Sequence, residues 1–297
     1  MNEVRTEPAK VTEHRGRATR AGQPKTAEIA VLIVTYNSRD EIAGCLEPLL
    51  ADPDLPEAEI VVIDNCSSDG TAAFVASAFD RVQVVMNSAN IGFGAAVNRA
   101  AAITRAPYFL ILNPDIAPRP GAVKAMLQAM DRDPHWAVLG CRLLSPDGRP
   151  QSSARTFPTI ATFVARATPL CKYLERLPYM REHLMLRLLD AGQLQDGEVN
   201  LVDWVLGACM LVRRAAFSEV GQFDERFFMY YEDIDLCYRA KQSGWRTGYL
   251  PCASMVHTYK RSSSHWGLRN SLMWIHGRSA ARFFAKHYRT RGMRTLA

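Results

Sequence analysis

Four short apolar runs, each closing on polar residues, restrict what this chain can fold into. They are EIAVLIVTYNS (28–38), EIVVIDNCSSDGT (59–71), VQVVMN (82–87) and YFLILNPDI (108–116). Each is rich in Val, Ile and Leu, the pattern of a strand buried on both faces. RDEIAGCLEPLL (39–50), residues 72–79 and NIGFGAAVNRAAAIT (90–104) lie between them with helical spacing. Asp69 or Ser68 is placed to cap the second of these helices. PGAVKAMLQAMDRD (120–133) follows as another helix, with Pro120 near its first turn. Strands alternating with helices need crossover connections, so the expected fold is α/β: a Rossmann-like, mostly parallel sheet with helices on both faces. Ligands of such sheets bind at the carboxyl ends of the strands. The polar residues there are Thr35-Tyr36-Asn37, Asp64-Asn65 and Asn113-Pro114-Asp115.

The second half is less regular. WAVLGCRLLSPDGRP (136–150) reads as a strand and a turn. Residues 151–200 are basic and look helical, with scattered apolar positions, and their place in the fold is open. VDWVLGACMLVRRAAF (202–217) is strand-like through Val212. Glu232, Asp233 and Asp235 then stand within four residues, at the start of a helix that Gly244 suits as a stop. Three acids so close repel one another, and a buried cluster needs a cation, a proton or a basic partner. A short strand leads to His257, and LRNSLMWIHGRSAARFFAKHY (268–288) reads as an amphipathic basic helix.

Composition narrows the class. Among 297 residues, 48% are apolar and 22% charged, and no uncharged 18-residue run suggests a membrane-spanning helix. The first 27 residues lack an apolar signal core and read as a disordered tail. Seven cysteines without a C-x-x-C pair argue against a disulfide framework or a zinc site, and for a reducing compartment. The net charge is +6, and after Asp235 there is no acid but twelve Lys or Arg. That makes a positive surface suited to anionic lipid, a phosphorylated substrate or nucleic acid. No nucleic-acid recognition module accompanies it, so nucleic acid is not the expected partner. There is no G-x-x-x-x-G-K-[ST] loop, and GFG at 92–94 lacks the third glycine of a dinucleotide fingerprint, Val97 standing there.

VTYNS, VVIDNCSSDGT, NIGFGAAVN, LNPD, GACMLVRR and GQFDERFFMYYEDIDLCYR occur in this order, followed by His257. Together they resemble the family 2 glycosyltransferases of GT-A fold, and among them the bacterial rhamnosyltransferase-like branch. The resemblance covers about residues 28–260. It implies inverting transfer of a sugar, with L-rhamnose favoured, from a nucleotide-diphosphate donor to an acceptor hydroxyl in envelope polysaccharide synthesis. The domain would be 28–262, with a nucleotide half to about 118 and an acceptor half after it, then a C-terminal basic helix over 263–297. The alternatives are a nucleotidyltransferase acting on sugar phosphates and a non-catalytic carbohydrate-binding relative. The first would carry a glycine-rich basic loop after the first strand, and TYNSRDEIAG is not one.

The resemblance also implies roles. Thr35, Tyr36, Asn37, Asp64, Asn90, Gly92, Asn98, Asn113 and Asp115 would line the donor, with Asp64 on the nucleobase. Asn113 departs from the family's D-x-D pattern, which leaves Asp115, with His257, to hold Mg²⁺ or Mn²⁺. Asp233 would be the base that deprotonates the acceptor, with Glu232 beside it, and Trp204, Gly207 and Ala208 would face the acceptor. Asp235 is expected to pair with Arg239, four residues on. The acceptor would be lipid-linked or a polysaccharide. The basic C-terminal helix would place a cytoplasmic protein peripherally on the inner membrane face.

Overall fold

The computed structural model describes residues 27–55, 57–167, 171–174, 176–189, 197–258 and 266–288. The expected N-terminal tail lies outside these residues. Strands β1 (Ile29–Thr35), β2 (Glu59–Asp64), β3 (Val82–Met86) and β4 (Tyr108–Leu112) form where the apolar runs stand. Helices α1 (Ile42–Ala51), α2 (Thr71–Ala78) and α3 (Phe93–Ile103) connect them. The pairings β3–β2, β2–β1 and β1–β4 are all parallel. All seven residues of β1 are buried, because a central parallel strand is covered on both faces; each Val, Leu or Ile so buried contributes about 1.5–3 kcal/mol.

The chain then leaves this half abruptly. YFLILNPDI does not continue as one strand: β4 stops at Leu112, and β5 (Ile116–Pro118) pairs at the opposite edge of the sheet. Asn113-Pro114-Asp115 is the crossing point, and the proline, with no N–H to give, ends the ladder there. Helix α4 (Ala122–Arg132) leads to β6 (Trp136–Leu144). The unplaced segment supplies β7 (Pro150–Gln151), β8 (Ala154–Arg155) and helices α5 (Ile160–Ala167), α6 (Cys171–Leu174) and α7 (Pro178–His183). Next come β9 (Asn200–Val202), β10 (Trp204–Val205), β11 (Cys209–Arg213), α8 (Arg214–Glu219), α9 (Glu232–Gln242), β12 (Arg246–His257) and α10 (Trp266–Tyr288). What reads as one strand over 202–212 is thus three pieces.

The main sheet runs β3-β2-β1-β4-β11-β6-β12-β5, while β8 and β10 form a small second sheet. β11 is antiparallel to both β4 and β6, so the sheet is mixed there. β12 is longer than expected and shifts register between Leu250 and Ser254, around Pro251. Residues of α1, α2 and α4 fill the core on one face. Those of α3, α8, α9 and α10 fill the other. Gly244 takes φ +87° just past α9, the left-handed stop its position suggests.

Candidate active site

At the β1 and β2 ends the polar side chains are bound to one another. The Thr35 hydroxyl donates to Asp64 Oδ2 at 2.9 Å, and Ser67 donates twice, from Oγ to Oδ2 at 2.6 Å and from N to Oδ1 at 2.8 Å. Asn37, with φ +53°, accepts from Ser68 N at 2.8 Å and so fastens the first loop to the second. Asp69 accepts from Thr71 N and Oγ1 and from Arg39 N, which makes it a loop tie ahead of α2. Asn65 donates to the Gly92 carbonyl at 3.2 Å and accepts from Asn87 at 2.7 Å. Asn90 Oδ1 accepts from Gly92 N at 3.0 Å. Gly92 has φ +88°, and a Cβ there would lie 2.4 Å from the Phe228 carbonyl oxygen. Only glycine lets the Phe228 segment approach so closely. Tyr36 is 55% exposed at the mouth of this edge, with its ring available for stacking.

At the crossing point, Asn113 N donates to the Ala208 carbonyl at 2.9 Å. Asp115 Oδ2 lies 3.4 Å from His257 Nε2, and its Oδ1 is buried without a hydrogen-bond partner. Gln151 Nε2 donates to Ser145 Oγ and to the His257 carbonyl, which turns its Oε1 toward His257 Nδ1 at 2.8 Å. That contact puts a proton on Nδ1 and aims Nε2 at Asp115. A carboxylate oxygen and a ring nitrogen converge there, and a shared proton or a divalent cation satisfies both. The residues therefore fit such an ion, with two protein ligands. Among the described residues no cluster of three or more His, Cys, Asp or Glu could hold one alone. An ion with so few protein ligands needs phosphate oxygens to complete its shell.

The acids at the start of α9 are held in three different ways. Tyr230 and Tyr231 both have positive φ, 67° and 69°, directly before Glu232. Two bulky left-handed residues in succession cost about 1–2 kcal/mol each, and such strain gathers at functional sites. Packing of Tyr231 on Phe283 and of His276 on both tyrosines holds the turn. Asp233 accepts from Gly207 N at 2.9 Å and from Ile234 N at 2.8 Å. Its pKa is raised by burial, against the opposing pull of these two N–H groups and of Arg155. Glu232 is buried, its Oε2 has no partner, and its pKa is pushed well up by burial and by the neighbouring Asp233 charge. Asp235 pairs with Arg239 as expected, at 2.7 Å, and also with Lys286 and His287 of α10, each at 2.7 Å. Burial would raise its pKa, but His287, Arg239 and Lys286 outweigh that and hold it low.

Gly207 and Ala208 join the two halves. Gly207 holds Asp233 while the Ala208 carbonyl holds Asn113. Thr35, Asp64, Asn113, Gly207, Ala208 and Asp233 thus stand along one edge. Asn98 turns elsewhere: it donates to the Phe223 carbonyl and Glu225 and accepts from Phe223 N, fixing the loop before the acids. Trp204 is also set back, its indole N–H bonded to the Thr156 carbonyl and its ring buried. Of the aromatic run, Phe223, Phe227 and Tyr231 are core, while Phe228 and Tyr230 are exposed. Sequence reasoning placed Asn65 at a strand end without a role and missed Ser67, Gln151 and Arg155. Only SSDG, a turn-rich stretch following Asp64, carried a readable signal for the first of these. The basic face of α10 is partly spent inward, since Lys286 also bonds Asp224 and Arg282 bonds the Arg226 carbonyl. Of the expected basic helix over 263–297, residues 263–265 and 289–297 lie outside the described residues. No helix among the described residues is long and apolar enough to cross a membrane.

Comparison with known proteins agrees with this geometry. Residues 30–221 match the family model "Glycosyl transferase family 2". An N-acetylglucosaminyl-diphospho-decaprenol L-rhamnosyltransferase of Mycobacterium tuberculosis is 31% identical over 276 residues, covering 89% of this chain and 83% of the relative. Rhamnosyltransferase WbbL of Escherichia coli is 26% identical, covering 87% and 93%. The solved mannosyltransferase PcManGT from Pyrobaculum calidifontis, in complex with GDP-Man and Mn²⁺, superposes with a TM-score of 0.60 at 18% identity. That match covers 90% of this chain and 65% of the mannosyltransferase chain, just under two thirds. The fold is thus GT-A, and the chain belongs to the family 2 glycosyltransferases, as a rhamnosyltransferase-like enzyme.

Proposed function

We propose that this enzyme transfers L-rhamnose, with inversion, from a nucleotide-diphosphate donor to a hydroxyl of a lipid-linked saccharide during envelope polysaccharide assembly. The observation that carries the mechanism is the Gly207–Ala208 bridge. It fixes the acid Asp233 and the crossing residue Asn113 through adjacent backbone groups, so acceptor and donor sides keep one register. Asp233 uses two of its lone-pair sites on backbone N–H groups and keeps others for the acceptor proton. Its raised pKa brings it closer to working pH, where a positioned base contributes about 10²–10⁴-fold. Glu232, desolvated and beside it, favours protonation of the pair and helps retain the proton after transfer.

On the donor side Asp64 is held rigid by Thr35 and Ser67, and Tyr36 and Asn90 flank the nucleotide. Asp115 and His257 would hold the divalent ion, Mn²⁺ suiting the imidazole better than Mg²⁺. When bound, such an ion neutralises charge on the departing diphosphate. Support for the sugar and the acceptor comes from the names of the two rhamnosyltransferase relatives. Exposed Met273 and Trp274 on α10, the latter at 79%, support contact with a membrane surface.

Calorimetric titration with UDP, dTDP and GDP, each with and without Mn²⁺, tests the reading. One nucleotide should bind, and more tightly with metal. Binding of none would remove the donor roles of Asp64 and Asp115.

A further inference from the structure

Helix α10 carries a stripe at helical spacing: His276, Ser279, the pair Arg282-Phe283 and the pair Lys286-His287. Each turn of that stripe grips the segment that leads into the acids of α9. Lys286 Nζ bonds Asp224 Oδ2 at the start of the segment and Asp235 Oδ1 beyond its end, both at 2.7 Å, and His287 Nε2 joins Asp235 at 2.7 Å. Between these ends Arg282 bonds the Arg226 carbonyl, and the Ser279 hydroxyl, itself buried, donates to the Met229 carbonyl at 2.8 Å. The His276 ring meets those of Tyr230 and Tyr231, each with 5.3 Å between centres, and Phe283 meets Tyr231 at 5.6 Å. Phe163 of α5 stacks behind His276, 6.1 Å away.

The segment is therefore shaped from outside. Its Arg226, Phe228 and Met229 carbonyls all accept hydrogen bonds from other elements, that of Phe228 from Phe93 N at 2.9 Å. Tyr230 and Tyr231 keep positive φ, a conformation that bulky residues hold only where their surroundings over-determine it. Those surroundings are α10 on one side and the Gly92-Phe93 turn on the other. Asp233 follows two residues later and sits against the bridge, where a Cβ on Gly207 would lie 3.4 Å from its Oδ2. A Cβ on Gly94 of α3 would lie 3.7 Å from Glu232 Cβ. Relaxation of the two tyrosines would swing the start of α9 and draw Asp233 away from Gly207 N. A misplacement of about 1 Å can cost about 10²-fold in rate.

We propose, on the transferase reading above, that α10 is a clamp that positions the acceptor base, with Ser279 and His276 as its positioning residues. Neither touches the reacting atoms. Both act through the left-handed Tyr230-Tyr231 turn. The Thr35–Asp64–Ser67 network stands on β1, β2 and the loop that follows, so loss of the clamp should spare nucleotide binding.

The test uses the full chain as wild type, Ser279→Ala, His276→Ala and the double variant, in two arms. The first is hydrogen exchange. Amides of residues 226–234 and the Gly207 amide should exchange about ten-fold faster or more in the double variant, while those of β1, β2 and β4 stay as in wild type. The second measures turnover with the rhamnosyl ester of the nucleotide that binds and an N-acetylglucosaminyl diphospho-lipid. There kcat should fall by about 10–10²-fold, with donor KM and nucleotide affinity within about two-fold of wild type. An unchanged exchange pattern overturns the clamp whatever the turnover. Faster exchange throughout the sheet with lost nucleotide affinity also overturns it, because α10 would then only stabilise the fold. Localised exchange with an unchanged kcat overturns the positioning role. If wild type binds no nucleotide and transfers no sugar, the transferase reading fails by itself, and the exchange arm still decides whether α10 seats the acids.

Discussion

Asp64 and Glu232 are both buried carboxylates at the active edge, and they live under opposite conditions. Asp64 receives three hydrogen bonds from Thr35 and Ser67. Glu232 has an oxygen with none and sits beside a second acid. The proposed nucleotide end is thus a finished network that a donor would meet as a rigid surface. The acceptor end is left short of partners. A group that must exchange a proton cannot be fully satisfied in the resting state, whereas a group that only recognises can be.

The largest test of this contrast is Asp233→Asn. Turnover should fall by about 10³-fold, within the usual reach of a positioned base, with nucleotide affinity nearly unchanged. Retained turnover would take the base away from Asp233. Next is Asp235→Ala, three residues from Glu232 but satisfied like Asp64. It should lose about 3 kcal/mol in denaturant unfolding, the lower end for breaking a buried pair, because Arg239 and Lys286 still reach water. A loss under half of that would show that the α10 contacts contribute little.

Asp64→Ala should cost about 2 kcal/mol, since it strips the acceptor from two hydroxyls and one N–H. It should also weaken nucleotide binding, and unchanged binding would leave Asp64 a purely structural residue. The smallest effect has the opposite sign. Glu232→Gln should stabilise by about 1 kcal/mol near pH 8, because it removes a desolvated charge. A raised folded pKa means that stability is complete below the ordinary carboxylate range and is lost as pH rises through the raised value. The gain should therefore shrink near pH 4. Asp235, with a lowered pKa, works the other way: its contribution is present above that range and lost as pH falls. Parallel pH profiles for the two variants would break the comparison.

The same contrast explains what was legible in the sequence. β1, β2, β3 and β4 and their polar ends are local: each run encodes its strand and the residues after it. The acceptor half depends on distant pairings. Nothing near Tyr108–Ile116 shows that the chain jumps across the sheet after Leu112. Lys286 and His287 look like a solvated basic face until α10 meets Asp235. Asn98 looks like a donor contact because it follows the glycine loop, yet its amide closes on Phe223, far along the chain. Trp204 stands near the acceptor bridge in sequence, but a two-residue strand turns its ring inward. Arg155 sits in a segment that looks helical in sequence, whereas it lies on the two-residue strand β8, too short for a pattern to announce.

The jump of β5 to the far edge has a consequence for how the molecule comes into being. Asp115 is made early, but its neighbour His257 lies at the end of β12, 106 residues beyond even Gln151. A nascent chain can complete the parallel β1–β4 region well before β12 emerges, since long-range pairing is the slow part of such folds. Until that last strand is inserted, the proposed ion site is absent while the proposed surface for the nucleotide already exists. A partly synthesised or clipped chain should therefore be a poor catalyst yet still capture the donor, and completion of the sheet is the step that switches it on.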